Sequence, residues 1–262
     1  MPARRFTDEQ EIEIGKVYLA GKSTRQIARD FGIDKTCIIS ALRRQHIEQR
    51  DPSARNRLYN VNAHVFDTID TEEKAYWYGF LWADGYISRE KTLVVGLQLR
   101  DKDHLEKIKS FTESEAPLID RINKIGEKEY GRAEFMVTDK HLGKRLLELG
   151  LKSHRLHDDP AIIFSSVPKH LIRHWIRGYI DGDGSIFMSR GRINLNMCGG
   201  EELLRQIRDE IREGAGGGNG HIYKHIKSNI YYLSYSHKTI RTDVLEWINK
   251  DSTIQMDRKW NK

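Results

Sequence analysis

The feature that most constrains the fold of this chain is an internal repeat. The segment GFLWADG at Gly79–Gly85 aligns with GYIDGDG at Gly178–Gly184, a lag of 99 residues. Farther along, FMVTDKHL at 135–142 aligns with LSYSHKTI at 233–240, a lag of 98 residues. Nearly equal lags at two distant landmarks predict two copies of one structural unit.

Each copy predicts the same order of helices and strands. After each motif, apolar and polar residues alternate with the period of a strand, at 93–100 in the first copy and 192–197 in the second. A helical pattern follows each of these strands. We therefore predict an α+β fold of two pseudo-symmetric αββαββα repeats with antiparallel sheets, the first over residues 71–152 and the second over residues 153–262.

Residues 1–46 predict a small all-α domain, and residues 47–70 a linker. Asp34 is a helix N-cap, and Gly32 supplies the positive φ of a tight turn between two helices. This pattern predicts a helix-turn-helix, which resembles the DNA-binding domains of resolvases and invertases. The alternative is an ordinary three-helix packing unit. The polar face of the third helix offers these candidates for DNA contact: Lys35, Thr36, Ser40, Arg43 and Arg44.

The net charge is +6, and the excess of basic residues lies at the two ends of the chain. Residues 1–60 hold 12 Lys and Arg against 8 Asp and Glu, residues 61–150 hold 14 against 17, and residues 151–262 hold 18 against 13. Basic ends favour a polyanionic partner, because Lys and Arg that contact phosphates release condensed counterions. The alternative is a surface that is charged only for solubility.

Composition excludes several classes of protein. No apolar run approaches the roughly 20 residues of a membrane span, so we expect no membrane association. Cys37 and Cys198 alone cannot form a disulfide framework or a four-cysteine zinc site, which favours a reducing, intracellular location. His170 and His174 lie one helical turn apart, but no third zinc ligand stands near them in the sequence.

Small residues recur at one spacing in both motifs. Gly79 and Ala83 are four residues apart, as are Gly178 and Gly182. On a helix this spacing makes a smooth stripe that lets two backbones approach closely. We therefore predict that the two motif helices pack against each other through these four residues.

If the two stripes face each other, Asp84 and Asp183 lie side by side at the C-termini of the two helices. Their carboxylates repel each other there, and divalent cations relieve that repulsion. Oxygen ligands suit Mg²⁺, and the backbone carbonyls of Ala83 and Gly182 are candidate further ligands. Two such ions can activate a water and stabilise the leaving oxygen of a phosphodiester. The alternative is a core helix that ends in glycine and exposes its Asp to solvent.

The two motifs, WYGFLWADG at Trp77–Gly85 and IRGYIDGDG at Ile176–Gly184, resemble those of the LAGLIDADG homing endonuclease family. The resemblance covers about residues 65–262, and the motifs differ at Trp82, where the second has Asp181. It implies a metal-dependent hydrolase that cuts both strands of a long, non-palindromic double-stranded DNA with a staggered break. It also implies two sheets that form a saddle along the DNA, in a monomer that needs no protein partner.

The resemblance implies further site residues. A basic residue in each repeat orders water near the scissile phosphates, and we assign this role to Lys140 and Lys238 beside the catalytic Asp84 and Asp183. The outward faces of the strands are rich in Arg, Asn and Gln, which suits contacts with base edges in the major groove. The candidates are Gln98, Arg100, Arg192, Asn194 and Asn196. A solvated sheet face is the alternative.

Two other functions are compatible with the same fold. One is an RNA maturase, and the other is a transcription regulator, a class in which the acidic residues are usually lost. Both Asp84 and Asp183 are present, which argues against the regulator and more weakly against the maturase. We therefore expect an endonuclease.

Overall fold

The chain divides into two units, residues 1–56 and residues 57–262. The computed structural model describes residues 6–20, 22–49, 59–126, 128–151, 160–226, 228–236 and 242–260. None of the described helices is long and apolar enough to cross a membrane.

Three helices form the first unit, as the sequence predicts: α1 (Asp8–Leu19), α2 (Thr24–Asp30) and α3 (Lys35–Arg44). Each helix has a polar N-cap: Thr7, Ser23 and Asp34. The side chain of each accepts a hydrogen bond from a backbone N–H group in the first turn, which has no partner within the helix. Gly32 has the predicted positive φ, 62°, in the turn between α2 and α3. The unit has a core of its own, formed by Phe6, Ile14, Tyr18, Ile27, Ala28, Ile38, Ala41 and Leu42.

Two copies of one αββαββα unit follow, as predicted. The first copy consists of α4 (Glu72–Asp84), β1 (Gly85–Ser88), β2 (Thr92–Gln98), α5 (Lys102–Phe111), β3 (Ile119–Ile125), β4 (Lys128–Thr138) and α6 (Lys140–Glu148). After a short helix α7 (Ala161–Ser166), the second consists of α8 (Ile172–Asp183), β5 (Gly184–Ser189), β6 (Arg192–Gly199), α9 (Glu201–Gly214), β7 (His221–Lys224), β8 (Tyr231–Tyr235) and α10 (Thr242–Asn249). A last short helix is α11 (Asp257–Trp260). Both sheets are antiparallel, with strand orders β1-β2-β4-β3 and β5-β6-β8-β7.

The motif helices α4 and α8 form the centre of the second unit. A helix that carries large apolar side chains around its whole circumference must be buried, and Tyr76, Trp77 and Trp175 are fully buried. The strands contribute to this core through alternate residues that face inward: Leu93, Val95, Leu97, Leu195 and Met197. The opposite faces of the two sheets remain available for contacts outside the core.

The predicted strand over residues 93–100 is wrong at its end. β2 ends at Gln98, and Leu99–Asp101 forms a 3₁₀ turn, because the chain leaves the sheet to begin α5 at Lys102. Leu99 is 45% exposed instead of packing in the core. Arg100 therefore lies beyond the strand, where its Nε is 3.8 Å from the carboxylate of Asp101.

Candidate functional site

The helices α4 and α8 touch at their glycines. A β-carbon at Gly79 would lie 2.0 Å from the carbonyl oxygen of Trp175, and one at Gly178 would lie 2.0 Å from that of Tyr76. No side chain fits at such a distance, so the two backbones are in direct contact. The two contacts are related by the internal repeat, since Tyr76 and Trp175 each stand three residues before the glycine of their own helix.

The contact continues to the last turn of both helices. A β-carbon at Gly182 would lie 2.3 Å from Cβ of Ala83 and 3.3 Å from Oδ2 of Asp84. The carboxylate of Asp84 thus reaches the backbone of the opposite helix, where Asp183 is the next residue. Asp84 and Asp183 end α4 and α8, and both are half-buried. The structure therefore brings the two predicted acids to the same end of the helix pair.

Both acids affect the thiol of Cys198. This thiol donates a hydrogen bond to the backbone carbonyl oxygen of Asp183 at 3.4 Å. Burial raises the pKa of Cys198, and the negative charges of Asp183 and Asp84 raise it further. Burial likewise raises the pKa of Tyr179, with a smaller contribution from Asp183. The positive charge of Lys259 acts on the pKa of Cys198 in the opposite direction.

A buried ammonium group that the sequence analysis missed lies at the same end of α8. Lys259 is only 8% exposed. Its Nζ donates to four carbonyl oxygens, those of Ile180 at 3.0 Å, Asp181 at 2.5 Å, Gly182 at 3.1 Å and Gly184 at 2.7 Å. The last carbonyls of a helix lack backbone partners and carry the negative end of the helix dipole, so a cation is stabilised there.

The charge of Lys259 also couples it to the acidic pair. Burial lowers the pKa of its ammonium group, and the negative charges of Asp181, Asp84 and Asp183 oppose that shift. The Gly182 carbonyl, a predicted metal ligand, accepts a hydrogen bond from Lys259, and its role as a ligand stays a prediction. No local pattern marks Lys259, since it reaches α8 from the distant C-terminal end of the described chain.

Asp181, where the second motif departs from the first, anchors the segment that carries Lys259. Its carboxylate accepts hydrogen bonds from the hydroxyl of Tyr76 at 2.7 Å, from the backbone N–H of Met256 at 2.8 Å and from Nε1 of Trp260 at 2.8 Å. Burial raises the pKa of Asp181 in spite of these donors. The motif position therefore holds the C-terminal segment against α8.

Lys140 lies beyond the opposite end of β1 from Asp84, and its catalytic role stays a prediction. β1 runs away from Asp84, and its far end is joined through β2 to Thr138, the last residue of β4. Lys140 begins α6 just beyond that end. The four residues of β1 span about 13 Å along the strand, which separates the backbone at Lys140 from that at Asp84. The corresponding Lys238 lies outside the described residues.

The outward face of the first sheet carries two arginines around one glutamate. Glu134 accepts a hydrogen bond from Nε of Arg121 at 2.5 Å and lies 3.4 Å from Nε of Arg132. A β-carbon at Gly96 would lie 2.2 Å from the guanidinium group of Arg132, so that group lies over the glycine. Gln98 is exposed beside Arg132, its partner across the strands. This face is polar, but Glu134 offsets part of the positive charge.

The outward face of the second sheet is aromatic and rich in amides. Tyr223 and Tyr232 stack with ring centroids 5.5 Å apart. Asn194 donates a hydrogen bond to the backbone carbonyl of Arg192 at 3.0 Å. The Oδ1 atom of Asn196 is buried and accepts no hydrogen bond from the described part of the chain.

In the first unit, all five of the predicted DNA-contacting residues are exposed along α3: Lys35, Thr36, Ser40, Arg43 and Arg44. The hydroxyl of Thr36 donates to the N-cap carboxylate of Asp34 at 2.5 Å. Arg44 differs, because its Nε donates to Glu11 of α1 at 2.9 Å, and Glu11 is only 3% exposed. This ion pair holds α1 against α3, and DNA contact by Arg44 stays a prediction.

Comparison of the sequence with models of known protein families found no match, and comparison with curated proteins found none either. Among solved structures, the chain is similar to the homing endonuclease I-WcaI bound to its DNA recognition sequence, with a TM-score of 0.52 and 14% identity over 73% of this chain and 87% of that one. It is also similar to the N-terminal LAGLIDADG domain of DUF199/WhiA, with a TM-score of 0.44 and 16% identity over 77% of this chain and 92% of that one. The likeness to I-WcaI shows that the chain has the LAGLIDADG fold, as its motifs predict. At 14% identity, I-WcaI shows this fold and not the activity.

Proposed function

We propose that this protein is a Mg²⁺-dependent, site-specific DNA endonuclease that makes a staggered double-strand break in a long, non-palindromic target. The observation that carries the proposal is the convergence of Asp84 and Asp183, with Oδ2 of Asp84 lying 3.3 Å from the β-position of Gly182 on the opposite helix. One acid from each half of the fold suits one cut in each DNA strand. The fold that the chain shares with I-WcaI, a homing endonuclease solved with its DNA recognition sequence, supports DNA as the partner.

The donor atoms at the acidic pair fit a hard divalent cation. The carboxylates of Asp84 and Asp183 are half-buried at the negative ends of two helix dipoles. We assign them as metal ligands, together with the backbone carbonyl of Ala83. Mg²⁺ prefers oxygen ligands and keeps several waters. When bound, it supplies activation of a water nucleophile and stabilisation of the leaving oxygen.

The chain itself contributes position and charge to this chemistry. The backbone contacts at Gly79 and Gly178 fix the two carboxylates relative to each other, which is the geometric part of catalysis. Lys259 places a positive charge at the end of α8, which offsets part of the repulsion between the carboxylates. The same charge favours the approach of a phosphate group.

We assign DNA contact to the outward faces of the two sheets. Arg132 and Gln98 in the first sheet suit hydrogen bonds to base edges, and so do Asn194 and Asn196 in the second. Arg100 lies beyond β2 and is proposed to contact the DNA backbone instead. Two further assignments stay proposals: Arg192 on the second sheet, and Lys35, Thr36, Ser40 and Arg43 on α3.

The proposal is tested with Asp84→Asn and Asp183→Asn. A target is first obtained by cleavage selection from a randomised DNA library in Mg²⁺. Each variant is expected to lose double-strand cleavage and to bind this target within a few-fold of the unmodified protein, because it loses a metal ligand and no DNA contact. Asp103→Asn, an exposed aspartate on α5, is the matched control and is expected to cut normally.

Any of three results would overturn the proposal. Normal cleavage by both variants would show that the acidic pair is not the catalytic centre. Tight binding of double-stranded DNA by the unmodified protein, without cleavage in Mg²⁺ or Mn²⁺, would instead favour a transcription regulator. Preferential binding of structured RNA would favour the maturase.

A further inference from the structure

A second group of ligand atoms lies at the start of α6. His64 and Asp67 belong to the segment before α4, and His141 is the second residue of α6. The Nδ1 atom of His64 is 2.7 Å from Oδ2 of Asp67, and the Nε2 atom of His141 is 2.6 Å from Oδ1 of the same carboxylate. One ligand atom from each residue lies within 4.8 Å of the others. Two imidazoles thus converge on one carboxylate.

Buried anchors hold the segment that carries two of these ligands. The backbone N–H of His64 donates to Oδ1 of Asn62 at 3.1 Å, and that of Asp67 donates to the carbonyl of His64 at 3.0 Å. Between them, Phe66 is fully buried, and its carbonyl accepts a hydrogen bond from Nε of Arg145 at 2.9 Å. The turn is therefore fixed against α6, the helix that carries the third ligand.

The two rings and the carboxylate are exposed, so an ion can reach them and their side chains can rotate to bind it. The side chains of His64, Asp67 and His141 are 71%, 41% and 45% exposed. The two imidazole rings lie with centroids 4.3 Å apart and planes at 41°. Two imidazoles and a carboxylate suit Zn²⁺ and other late transition metals, which take nitrogen ligands near 2.0–2.1 Å, whereas Mg²⁺ prefers oxygen alone.

We propose that His64, Asp67 and His141 form a transition-metal site that takes Zn²⁺ and ties the segment before α4 to the start of α6. To bind an ion, each imidazole must be neutral and carry its proton on the nitrogen that faces away from the ion. No other group then has to change its protonation. The site is separate from the acidic pair, because α6 begins at the far end of β1 from Asp84. With three protein ligands at the surface, water completes the coordination, and the role of the ion is structural.

The test uses the full chain, stripped of metal with a chelator and titrated with Zn²⁺ by calorimetry. We expect one site per chain and a rise of several degrees in Tm at saturating Zn²⁺, which the chelator reverses. Co²⁺ bound at the same site is expected to give visible absorption bands. His64→Ala, Asp67→Asn and His141→Ala should each weaken Zn²⁺ binding at least about tenfold, since even partners of metal ligands contribute that much.

Two controls keep this result distinct from the proposed nuclease. His170→Ala removes another exposed histidine and should leave Zn²⁺ binding unchanged. Asp84→Asn should also keep the Zn²⁺ site, whether or not the protein cuts DNA. The proposal is overturned if the folded chain shows no stoichiometric Zn²⁺ binding. It is also overturned if the three ligand variants, shown to be folded by their circular dichroism spectra, bind Zn²⁺ as tightly as the His170→Ala control.

Discussion

The ammonium group of Lys259 links the stability of the fold to the acidic pair. Its Nζ donates to carbonyl oxygens of the last turn of α8 and to that of Gly184, the first residue of β5. The same charge influences Asp84 and Asp183, and they in turn oppose the lowering of its pKa by burial. One side chain therefore caps the C-terminus of α8 and also places a positive charge near the candidate metal site.

Lys259→Met is expected to lower the free energy of unfolding by roughly 2–3 kcal/mol, because it keeps the length of the side chain and removes a charged donor from buried carbonyls. Urea denaturation measures the effect. Lys250→Met, an exposed lysine just after α10, is the control and should change stability little. Equal midpoints for the two variants would contradict the capping role.

The sequence predicts the acids of this site but not the lysine, for a physical reason. Asp84 and Asp183 follow local patterns, since a stripe of small residues and a helix end fix both their partner and their position. Lys259 meets α8 only through the tertiary path of the C-terminal segment, which no spacing encodes. The same limit applies to Lys140: the repeat predicts its place in the unit, but not its distance from Asp84.

At the level of elements, the packing of α4 on α8 depends on backbone contact at two glycines. Gly79 and Gly178 occupy equivalent positions, and a β-carbon at either would lie 2.0 Å from a carbonyl oxygen of the other helix. A backbone atom cannot rotate away as a flexible side chain can, so the helices would have to separate. The spacing of small residues predicts this contact, because the helix period is a local property. The end of β2 at Gln98 is not predicted, because it depends on where α5 packs.

Gly79→Ala and Gly178→Ala are expected to destabilise the protein by similar amounts, at least about 1–3 kcal/mol each, because an inserted methyl group forces a close-packed contact apart. Thermal and urea unfolding measure the loss. Gly200→Ala is the control, since a β-carbon there would meet nothing within 4 Å. If either motif variant were as stable as the control, the direct backbone contact would be wrong.

Across the whole second unit, two buried histidines link stability to pH. Burial lowers the pKa of His104 to about 3 and that of His174 to about 4. The hydrogen bonds agree with neutral rings: Nδ1 of His174 accepts from Arg177 at 2.8 Å. The ring of His104 lies 2.9 Å from the hydroxyl of Tyr76, which donates its own proton to Asp181. Below the ordinary histidine pKa of roughly 6.5, the unfolded chain therefore binds protons that the folded chain does not.

Stability is expected to fall as the pH drops from about 6.5 to about 4, by up to roughly 1.4 kcal/mol per pH unit for each histidine. The raised pKa of Asp181 acts in the opposite direction, as this carboxyl takes up a proton earlier in the folded state. Urea denaturation at a series of pH values measures the slope. His104→Gln should reduce the slope of the free energy of unfolding against pH by an amount that corresponds to about one bound proton. His170→Ala, which removes an exposed histidine, should leave this slope unchanged. An unchanged slope in His104→Gln would show that this ring is charged in the folded state.

The two units have separate cores, so removal of the first should leave the second folded. If α3 contacts DNA, deleting residues 1–46 is expected to weaken target binding and to flatten its dependence on salt, because each lost phosphate contact lowers the slope of log K against log[salt] by roughly 0.9. Single-turnover cleavage at saturating protein should keep its rate, since Asp84, Asp183 and Lys259 remain. Lys35→Ala with Arg43→Ala should reproduce much of this loss in the full chain, while Lys16→Ala with Lys22→Ala, an equal change of charge away from α3, should not. Binding titrations at several salt concentrations decide the matter: equal slopes for the deletion and the full chain would show that the first unit serves something other than target recognition.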